Sequence, residues 1–166
     1  MRSLLWCLLV VSCFIGACKK KKCDYVDDRM VAPVSEQQAI KQYLDSVGID
    51  ATLHSRGFYY KIDDGGTGDN PVACSEIKVG YTGWMTNGQI FDQQTSYETE
   101  LVNLIDGWLQ GVPLIKKGGR IWLYIPPSLG YGSQSVTTSM KDSNNHYITI
   151  PASSILIFDI HLLDVQ

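Results

Sequence analysis

The segment EIKVGYTGWMTNGQIF, residues 76–91, decides how this chain folds. Ile77, Val79 and Tyr81 occupy every second position, which is the period of a β-strand with one buried face. The dipeptide Asn-Gly follows at 87–88, and it suits the left-handed backbone of a two-residue hairpin turn. The segment therefore predicts a β-hairpin.

Further strands are predicted on the C-terminal side of this hairpin. Apolar side chains alternate in GGRIWLYI, residues 118–125, and in ILIFDIHLL, residues 155–163. Between them and the hairpin lies LIDGWLQGVPL, residues 104–114, where Pro113 limits the helix to one or two turns. Strands that outnumber one short central helix, without repeated strand–helix alternation, predict an α+β fold with an antiparallel sheet.

One amphipathic helix is predicted ahead of this region, over residues 34–47. Ser35 is its expected N-cap and Gly48 its stop. The apolar positions at helical spacing are Ala39, Ile40, Tyr43, Leu44 and Val47. This stripe must dock on a partner surface, either its own domain or a second copy of the chain, and we expect its own domain. Residues 34–56 are thus assigned to an N-terminal helix and linker.

The first residues have the pattern of an export signal, predicted to span 1–17. Arg2 precedes an apolar stretch from Leu4 to Ile15, which is shorter than the roughly 20 residues of a stable membrane span. The end of this stretch, FIGAC at residues 14–18, resembles the lipobox of bacterial lipoproteins. That resemblance implies cleavage before Cys18 and lipid attachment to Cys18.

A lipid on Cys18 would hold the protein on a membrane without a protein span. Residues 18–33 are then a lipidated, lysine-rich tether, whose Lys19–Lys22 stay solvated or touch anionic headgroups. The expected location is the bacterial cell envelope, with the protein lipid-anchored to a membrane on its periplasmic side.

Charge and motif content exclude several classes of function. The chain has 14 basic and 17 acidic residues and no basic patch with interleaved aromatics, so nucleic acid is not an expected partner. The histidines follow no metal-binding spacing, so neither a metal nor another cofactor is expected. Of five cysteines, Cys23 and Cys74 remain free of the signal and the lipid; they form either a disulfide or two separate thiols.

Five short segments, taken in chain order, resemble the proline-binding pocket of the FKBP-type peptidyl-prolyl isomerases. The resemblance covers about residues 57–166 and implies that family's curved antiparallel sheet wrapped around a short helix. The segments are VGYTG (79–83), GQIFD (88–92), LIDGW (104–108), LGYG (129–132) and IPASSILIF (150–158).

The resemblance also implies roles for individual residues. Trp108 would form the pocket floor, Asp92 would offer a carboxylate at the rim, and the amide of Ile105 and the hydroxyl of Tyr131 would donate hydrogen bonds to peptide carbonyls. Whether Asp92 and Tyr131 stabilise the twisted amide or only orient the peptide stays open. The implied catalytic residues are Tyr81, Phe91, Asp92, Trp108, Tyr131 and Phe158; the implied substrate-binding residues are Leu104, Ile105, Ile150 and Thr99.

The sequence departs from the family pattern in two places. Thr99 falls near a position where the family usually has a phenylalanine, although Tyr97 could supply the ring from a shifted register. Residues 133–149 form an enlarged, polar segment that we expect to be a flexible pocket-side loop. This segment could modify peptide preference or be an ordinary surface insertion.

These patterns predict a peptidyl-prolyl cis-trans isomerase that acts on Xaa-Pro bonds of exported proteins and assists their folding. Its partners would be proline-containing segments of unfolded proteins, and FKBP-directed macrolides would inhibit it. Isomerisation forms no bond to the protein, so it needs neither nucleophile nor cofactor. The alternative is a non-catalytic binding or chaperone module with the same fold, and Thr99 together with residues 133–149 motivates it.

Overall fold

The computed structural model describes residues 23–27 and 30–166, so the signal peptide and lipidation site predicted within residues 1–18 lie outside the described residues. In chain order the elements are α1 (Val34–Val47), β1 (Thr52–Leu53), β2 (Tyr59–Asp64), β3 (Glu76–Met85), β4 (Ile90–Glu100), a 3-10 turn (Leu101–Asn103), α2 (Asp106–Gly111), a 3-10 turn (Val112–Leu114), β5 (Arg120–Ile125), a 3-10 turn (Pro127–Leu129), β6 (Val136–Lys141), β7 (Tyr147–Ile150) and β8 (Leu156–Val165).

Six strands form one antiparallel sheet in the order β1-β2-β5-β8-β3-β4. The predicted hairpin joins β3 to β4, with Gly88 at φ +82° in the turn and the Asn87 side chain accepting the Gln89 N–H. Register shifts interrupt the β3–β4 and β3–β8 pairings, and such bulges bend a strand. The predicted α+β architecture, with an antiparallel sheet and one short central helix, is confirmed.

Helix α2 packs closely against one face of this sheet. Gly107 and Gly111 lie over β5, where an added Cβ would meet the side chain of Ile125 or Leu123 at 2.6 Å. The two missing side chains therefore let the helix backbone approach the strand. The main hydrophobic core, which includes Trp108, fills the space between α2 and the sheet.

Helix α1 covers the opposite face of the sheet. It packs on Tyr124, whereas the neighbouring β5 residues Leu123 and Ile125 belong to the core on the α2 side, and successive side chains of a strand point to opposite faces. Its buried Ile40 and Leu44 contact Tyr59, Tyr124 and Ile157, so the amphipathic stripe docks on its own domain. Burial raises the pKa of Tyr124 to about 12.

The bounds predicted for α1 are confirmed, but its predicted N-cap is wrong. Pro33 occupies the N-cap position with φ −54° and ψ 145°, and Ser35 lies inside the first turn. The physical reason is that the Pro33 carbonyl already accepts the N–H groups of Glu36 at 3.0 Å and Gln37 at 3.1 Å, so helical hydrogen bonding begins at Pro33. Gly48 ends the helix in a left-handed conformation, as predicted.

A disulfide joins Cys23 to Cys74, with a Cα–Cα distance of 5.5 Å. The question of a bridge or two free thiols is therefore answered in favour of the bridge. Beyond Cys23, Tyr25 and Ala32 pack against the main core. Part of the segment predicted as a tether, residues 18–33, thus lies on the domain.

Residues 133–149, predicted as a flexible loop, instead contain an ordered hairpin made by β6 and β7. Its turn is held by the Asp142 carboxylate, which accepts the N–H groups of Asn144 and His146 at 2.9 Å each. Ile148 and Ile150 are buried while Thr137 and Thr149 face solvent. The polar composition therefore reflects one solvated face of a strand pair, and the expected loop is corrected to a β-hairpin.

Among the residues that the structure describes, no helix is long and apolar enough to cross a bilayer.

Candidate active site

A cavity of about 270 Å³ opens between α2 and the sheet, and its lining comes from β3, β4, β8, α2 and the segments next to them. It brings together seven of the ten residues that the sequence predicted for catalysis or substrate binding. Its lining residues are Tyr81, Asp92, Tyr97, Asn103, Leu104, Ile105, Trp108, Tyr131 and Phe158.

Trp108 forms the apolar centre of this cavity, as predicted for the floor. It is the third residue of α2 and is 4% exposed. Its ring meets Tyr81 at 5.1 Å and Phe158 at 5.2 Å, both nearly edge-on at 89° and 85°. Edge-to-face is a favoured geometry for aromatic pairs, so Tyr81 and Phe158 stabilise the Trp108 ring in this orientation.

Phe91 and Ile150 stand behind the lining rather than in it, because each is only 1% exposed. Phe91 packs edge-on against Phe158 at 5.4 Å and supports that wall from behind. Room for the two rings comes from Gly83, where an added Cβ would lie 2.8 Å from Phe91 and 2.9 Å from Phe158. The second glycine of the VGYTG segment, Gly83, is therefore explained by the space that the two rings need.

The polar groups of the cavity lie at its rim. The Tyr81 hydroxyl donates to Asp92 Oδ2 at 2.6 Å, and Asp92 Oδ1 accepts the N–H of Gln93 at 2.8 Å. Burial, reinforced by the hydrogen bond to Asp92, raises the pKa of Tyr81 far above its ordinary value. Tyr81 therefore stays protonated and keeps Asp92 in place across the physiological pH range.

Two further groups can bond a bound peptide. Ile105 is the residue before α2, where backbone N–H groups have no partner within the helix. Tyr131 follows the Pro127–Leu129 turn, and burial, with a smaller contribution from the nearby Asp92 carboxylate, raises the pKa of its phenol. The phenol is thus a hydrogen-bond donor at neutral pH, as its predicted role requires.

Thr99 is not brought to the cavity, so the placement predicted for it is corrected. It pairs with Ile77 near the end of β4, about 7 Å along the same strand face from Tyr97. Tyr97 takes the wall position instead and meets Tyr81 at 6.2 Å. The bulges in the β3–β4 pair set this register, and sequence periodicity does not reveal them.

Asn103 is a lining residue that the sequence prediction missed. It ends the Leu101–Asn103 turn, directly before the Leu104 and Ile105 that were predicted. Its position next to that motif is the only signal that could have identified it.

Among residues 23–27 and 30–166, no three His, Cys, Asp or Glu side chains converge as they do around a metal ion.

Comparison with known families agrees with this geometry. A family model described as FKBP-type peptidyl-prolyl cis-trans isomerase matches residues 68–163. That range contains every residue that lines the cavity. Helix α1 and the disulfide residue Cys23 lie outside it.

Curated relatives match most of the chain. A probable FKBP-type peptidyl-prolyl cis-trans isomerase of Haemophilus influenzae is 39% identical over 123 residues, which are 72% of this chain and 47% of the relative. The FKBP-type peptidyl-prolyl cis-trans isomerase FkpA of Buchnera aphidicola from Schizaphis graminum is 40% identical over 134 residues, which are 76% of this chain and 47% of the relative. The chain thus spans about half the length of the curated relatives it matches.

A solved structure extends the agreement to the backbone. The crystal structure of FkpA from Escherichia coli superposes with a TM-score of 0.65 at 30% identity, covering 80% of this chain and 60% of that one. The family model spans more than half of the present sequence, and the aromatic cavity falls within it. The chain therefore belongs to the FKBP-type peptidyl-prolyl cis-trans isomerase family.

Proposed function

We propose that this protein catalyses cis-trans isomerisation of Xaa-Pro bonds in exported proteins and so assists their folding in the cell envelope. The observation that carries the proposal is the cavity of about 270 Å³ around Trp108, in which aromatic side chains form the floor and walls and Asp92 and Tyr131 supply polar groups. Aromatic walls with a few placed polar groups are what recognition of a small apolar ring requires.

Such a cavity can lower the barrier without covalent chemistry. Rotation about the amide bond has an uncatalysed barrier of about 20 kcal/mol, because resonance favours the two planar forms. Water strengthens that resonance by hydrogen bonding to the carbonyl, so moving the amide into an apolar site favours the twisted form. A site that binds the twisted amide more tightly than either planar isomer accelerates the rotation.

The chain's own groups would hold the peptide during this step. The Trp108 floor and the Tyr97 and Phe158 walls would bury the proline ring, and the Ile105 N–H and Tyr131 hydroxyl would donate to carbonyls on either side of it. Asp92, held by Tyr81, would stay at the rim. We propose the same cavity as the site at which FKBP-directed macrolides compete with peptide.

The location proposed is the periplasmic side of a bacterial membrane, with lipid attached to Cys18. The Cys23–Cys74 disulfide supports an oxidising compartment, because reducing compartments keep such thiols free. The lysines that follow Cys18 in the sequence are consistent with a position near anionic headgroups.

A second candidate function is a non-catalytic binding or chaperone module, and the β6–β7 hairpin favours it. This hairpin is ordered, contacts β4 beside the cavity and leaves Tyr147 59% exposed on its solvated face. An exposed aromatic on a regular strand pair could bind a partner without any turnover in the cavity.

The test is to follow cis-to-trans isomerisation of short Xaa-Pro peptides with the purified, oxidised protein while varying the residue before proline. The variants are Tyr131→Phe in the cavity and Tyr147→Ala on the hairpin, with an FKBP-directed macrolide as a separate arm. Macrolide-sensitive acceleration that Tyr131→Phe reduces and Tyr147→Ala leaves intact supports the isomerase. A folded protein without acceleration, whose binding to unfolded proteins depends on Tyr147, would favour the binding module.

A further inference from the structure

Glu36 lies in the first turn of α1 and reaches the segment that leads to the cavity. Its Oε2 accepts the backbone N–H of Ser128 at 3.0 Å and the Ser128 hydroxyl at 2.7 Å. Both residues are half-buried. The contact connects a helix outside the matched family range, residues 68–163, to the Pro127–Leu129 turn inside it.

The position of Glu36 is fixed independently of this contact. Ile40, one helical turn further along the same face, is fully buried against the sheet. Next to Glu36, the Gln37 side chain donates to Ala32 O at 2.8 Å and anchors the start of the helix. The carboxylate therefore reaches Ser128 from a rigid support.

The turn at Ser128 needs an acceptor from outside. Ser128 is the second residue of the 3-10 turn Pro127–Leu129, and the first backbone N–H groups of such a turn have no partner within it. A carboxylate that receives both an N–H and an O–H makes two charge-assisted hydrogen bonds, which are about twice as strong as neutral ones. Glu36 thus holds the turn at a defined place relative to α1.

The backbone from this turn to Tyr131 is short and tied. Pro127 O accepts the N–H of Gly130 at 2.9 Å and that of Gly132 at 2.8 Å, so hydrogen bonds bracket Tyr131 on both sides. Gly132 O in turn accepts the N–H of Ser153 at 2.9 Å. Ser128 and Tyr131 therefore lie in one hydrogen-bonded turn of chain, so the position of one is linked to that of the other.

We propose that Glu36 is a positioning residue for Tyr131: through Ser128 it sets where the Tyr131 hydroxyl lies in the cavity. The proposal rests on the proposed function, in which that hydroxyl donates to a carbonyl of the bound peptide. It adds a residue of the N-terminal helix to the determinants of ligand binding.

The consequence of losing Glu36 follows from hydrogen-bond energetics. Without the carboxylate, the Ser128 N–H is left half-buried and unpaired, which favours movement of the turn toward water. Small misplacements of a positioned group have large effects on reactive complexes. Because Ile40 and Leu44 still hold α1, the fold should survive the change.

The decisive experiment is a double-mutant cycle between Glu36→Ala and Tyr131→Phe, measured as KM and kcat on an Xaa-Pro peptide and as macrolide affinity. We expect Glu36→Ala alone to raise KM and weaken macrolide binding about three- to tenfold, with kcat changed less than about twofold. In the Tyr131→Phe background the same change should have almost no effect. Glu36→Gln, which keeps an acceptor oxygen, should restore most of the affinity.

Lys41→Ala is the matched control, since Lys41 is exposed on the same helix and, within the part of the chain that the structure describes, its ammonium group pairs with Asp45. It should leave KM, kcat and macrolide affinity unchanged. If Glu36→Ala weakens binding equally with and without the Tyr131 hydroxyl, it acts through general destabilisation and the proposal is overturned.

A readout that does not need activity separates this proposal from the proposed function. With fluorotyrosine incorporated, the 19F signal missing from the Tyr131→Phe spectrum identifies Tyr131. Glu36→Ala and Ser128→Ala should shift that signal, and Lys41→Ala should not. An unchanged Tyr131 signal in both variants would overturn the positioning role, whatever the isomerase assay shows. A shifted signal in a protein without turnover would support the positioning of Tyr131 by Glu36 and contradict the proposed isomerase activity.

Discussion

The hydroxyl of Tyr81 and the carboxylate of Asp92 are joined at 2.6 Å across the β3–β4 pair, at the rim of the cavity. We expect Tyr81→Phe to keep the aromatic wall and to lower the free energy of unfolding by about 1 to 2 kcal/mol, since a hydrogen bond to a charged group is lost. KM for the peptide should rise because Asp92 can then rotate. Urea denaturation and the isomerisation assay measure the two effects.

Tyr147→Phe is the control for that prediction, because Tyr147 lies exposed on the β6–β7 hairpin. It should change stability by less than about 0.5 kcal/mol. If both variants lost the same free energy of unfolding, the Tyr81–Asp92 hydrogen bond would not contribute more to stability than an exposed hydroxyl does.

Gly107→Ala should destabilise the protein, because the new methyl group would lie 2.6 Å from atoms of Ile125. Overpacking of this kind costs about 1 to 3 kcal/mol, and it would move α2, which carries Trp108. Gly65→Ala is the matched control, since no atom lies within 4 Å of its added Cβ. The melting temperature and the macrolide affinity should fall for Gly107→Ala and not for Gly65→Ala. If Gly107→Ala were destabilised but bound the macrolide with unchanged affinity, the link between α2 and the cavity would be contradicted.

Reduction of the Cys23–Cys74 disulfide should lower stability by up to about 4 kcal/mol, from the chain entropy released by a bridge that closes a separation of 51 residues. The melting temperature should then fall by on the order of 10 °C. The measurement is thermal unfolding with and without a reductant. The double variant Cys23→Ser/Cys74→Ser should have the melting temperature of the reduced protein, with and without reductant. If the reductant lowered the melting temperature of that variant, the effect could not be assigned to this bridge.

We expect the protein to lose stability in mild acid because of the environment of His54. Burial, with a smaller contribution from Arg56, lowers its pKa below the ordinary 6.5, and its ring stacks on Phe58 at 4.4 Å. The unfolded chain therefore takes up a proton more readily, and the free energy of unfolding falls as pH drops from about 6.5 through the lowered pKa.

The measurement is urea denaturation at pH 7.5 and at pH 5 for the original protein and for His54→Gln. The variant should lose less stability between the two pH values, because it lacks this proton uptake. His146→Gln, which changes a histidine that is 81% exposed, should keep the original difference. A pH dependence unchanged in His54→Gln would exclude His54 as its source.

Local patterns predicted most of the fold. The spacing of Ile40 and Leu44 predicted α1, and Asn87-Gly88 predicted the β3–β4 turn, because each depends on residues that are neighbours in the chain. Family resemblance extended the prediction to the cavity, where Tyr81, Trp108 and Phe158 form an edge-on cluster. That cluster is a three-dimensional arrangement that no single segment specifies.

What the sequence did not reveal depends on long-range geometry. The sequence left Thr99 and Tyr97 as alternatives for the wall position, because the choice follows from bulges in strand pairing, which residue periodicity does not encode. The Glu36–Ser128 contact joins residues separated by 92 positions, and nothing local marks either of them. Residues 133–149 were misjudged because a strand pair with one solvated face has the composition of a loop.

The disulfide also determines how far the domain can travel. With lipid on Cys18, as proposed, only the four residues 19–22 lie between the lipidated residue and Cys23, which is covalently joined to Cys74. Fully extended, the five steps from Cys18 to Cys23 span at most about 18 Å. The cavity could then search only a thin layer next to the bilayer, and it would meet proline-containing chains as they emerge at the surface rather than those already diffusing away.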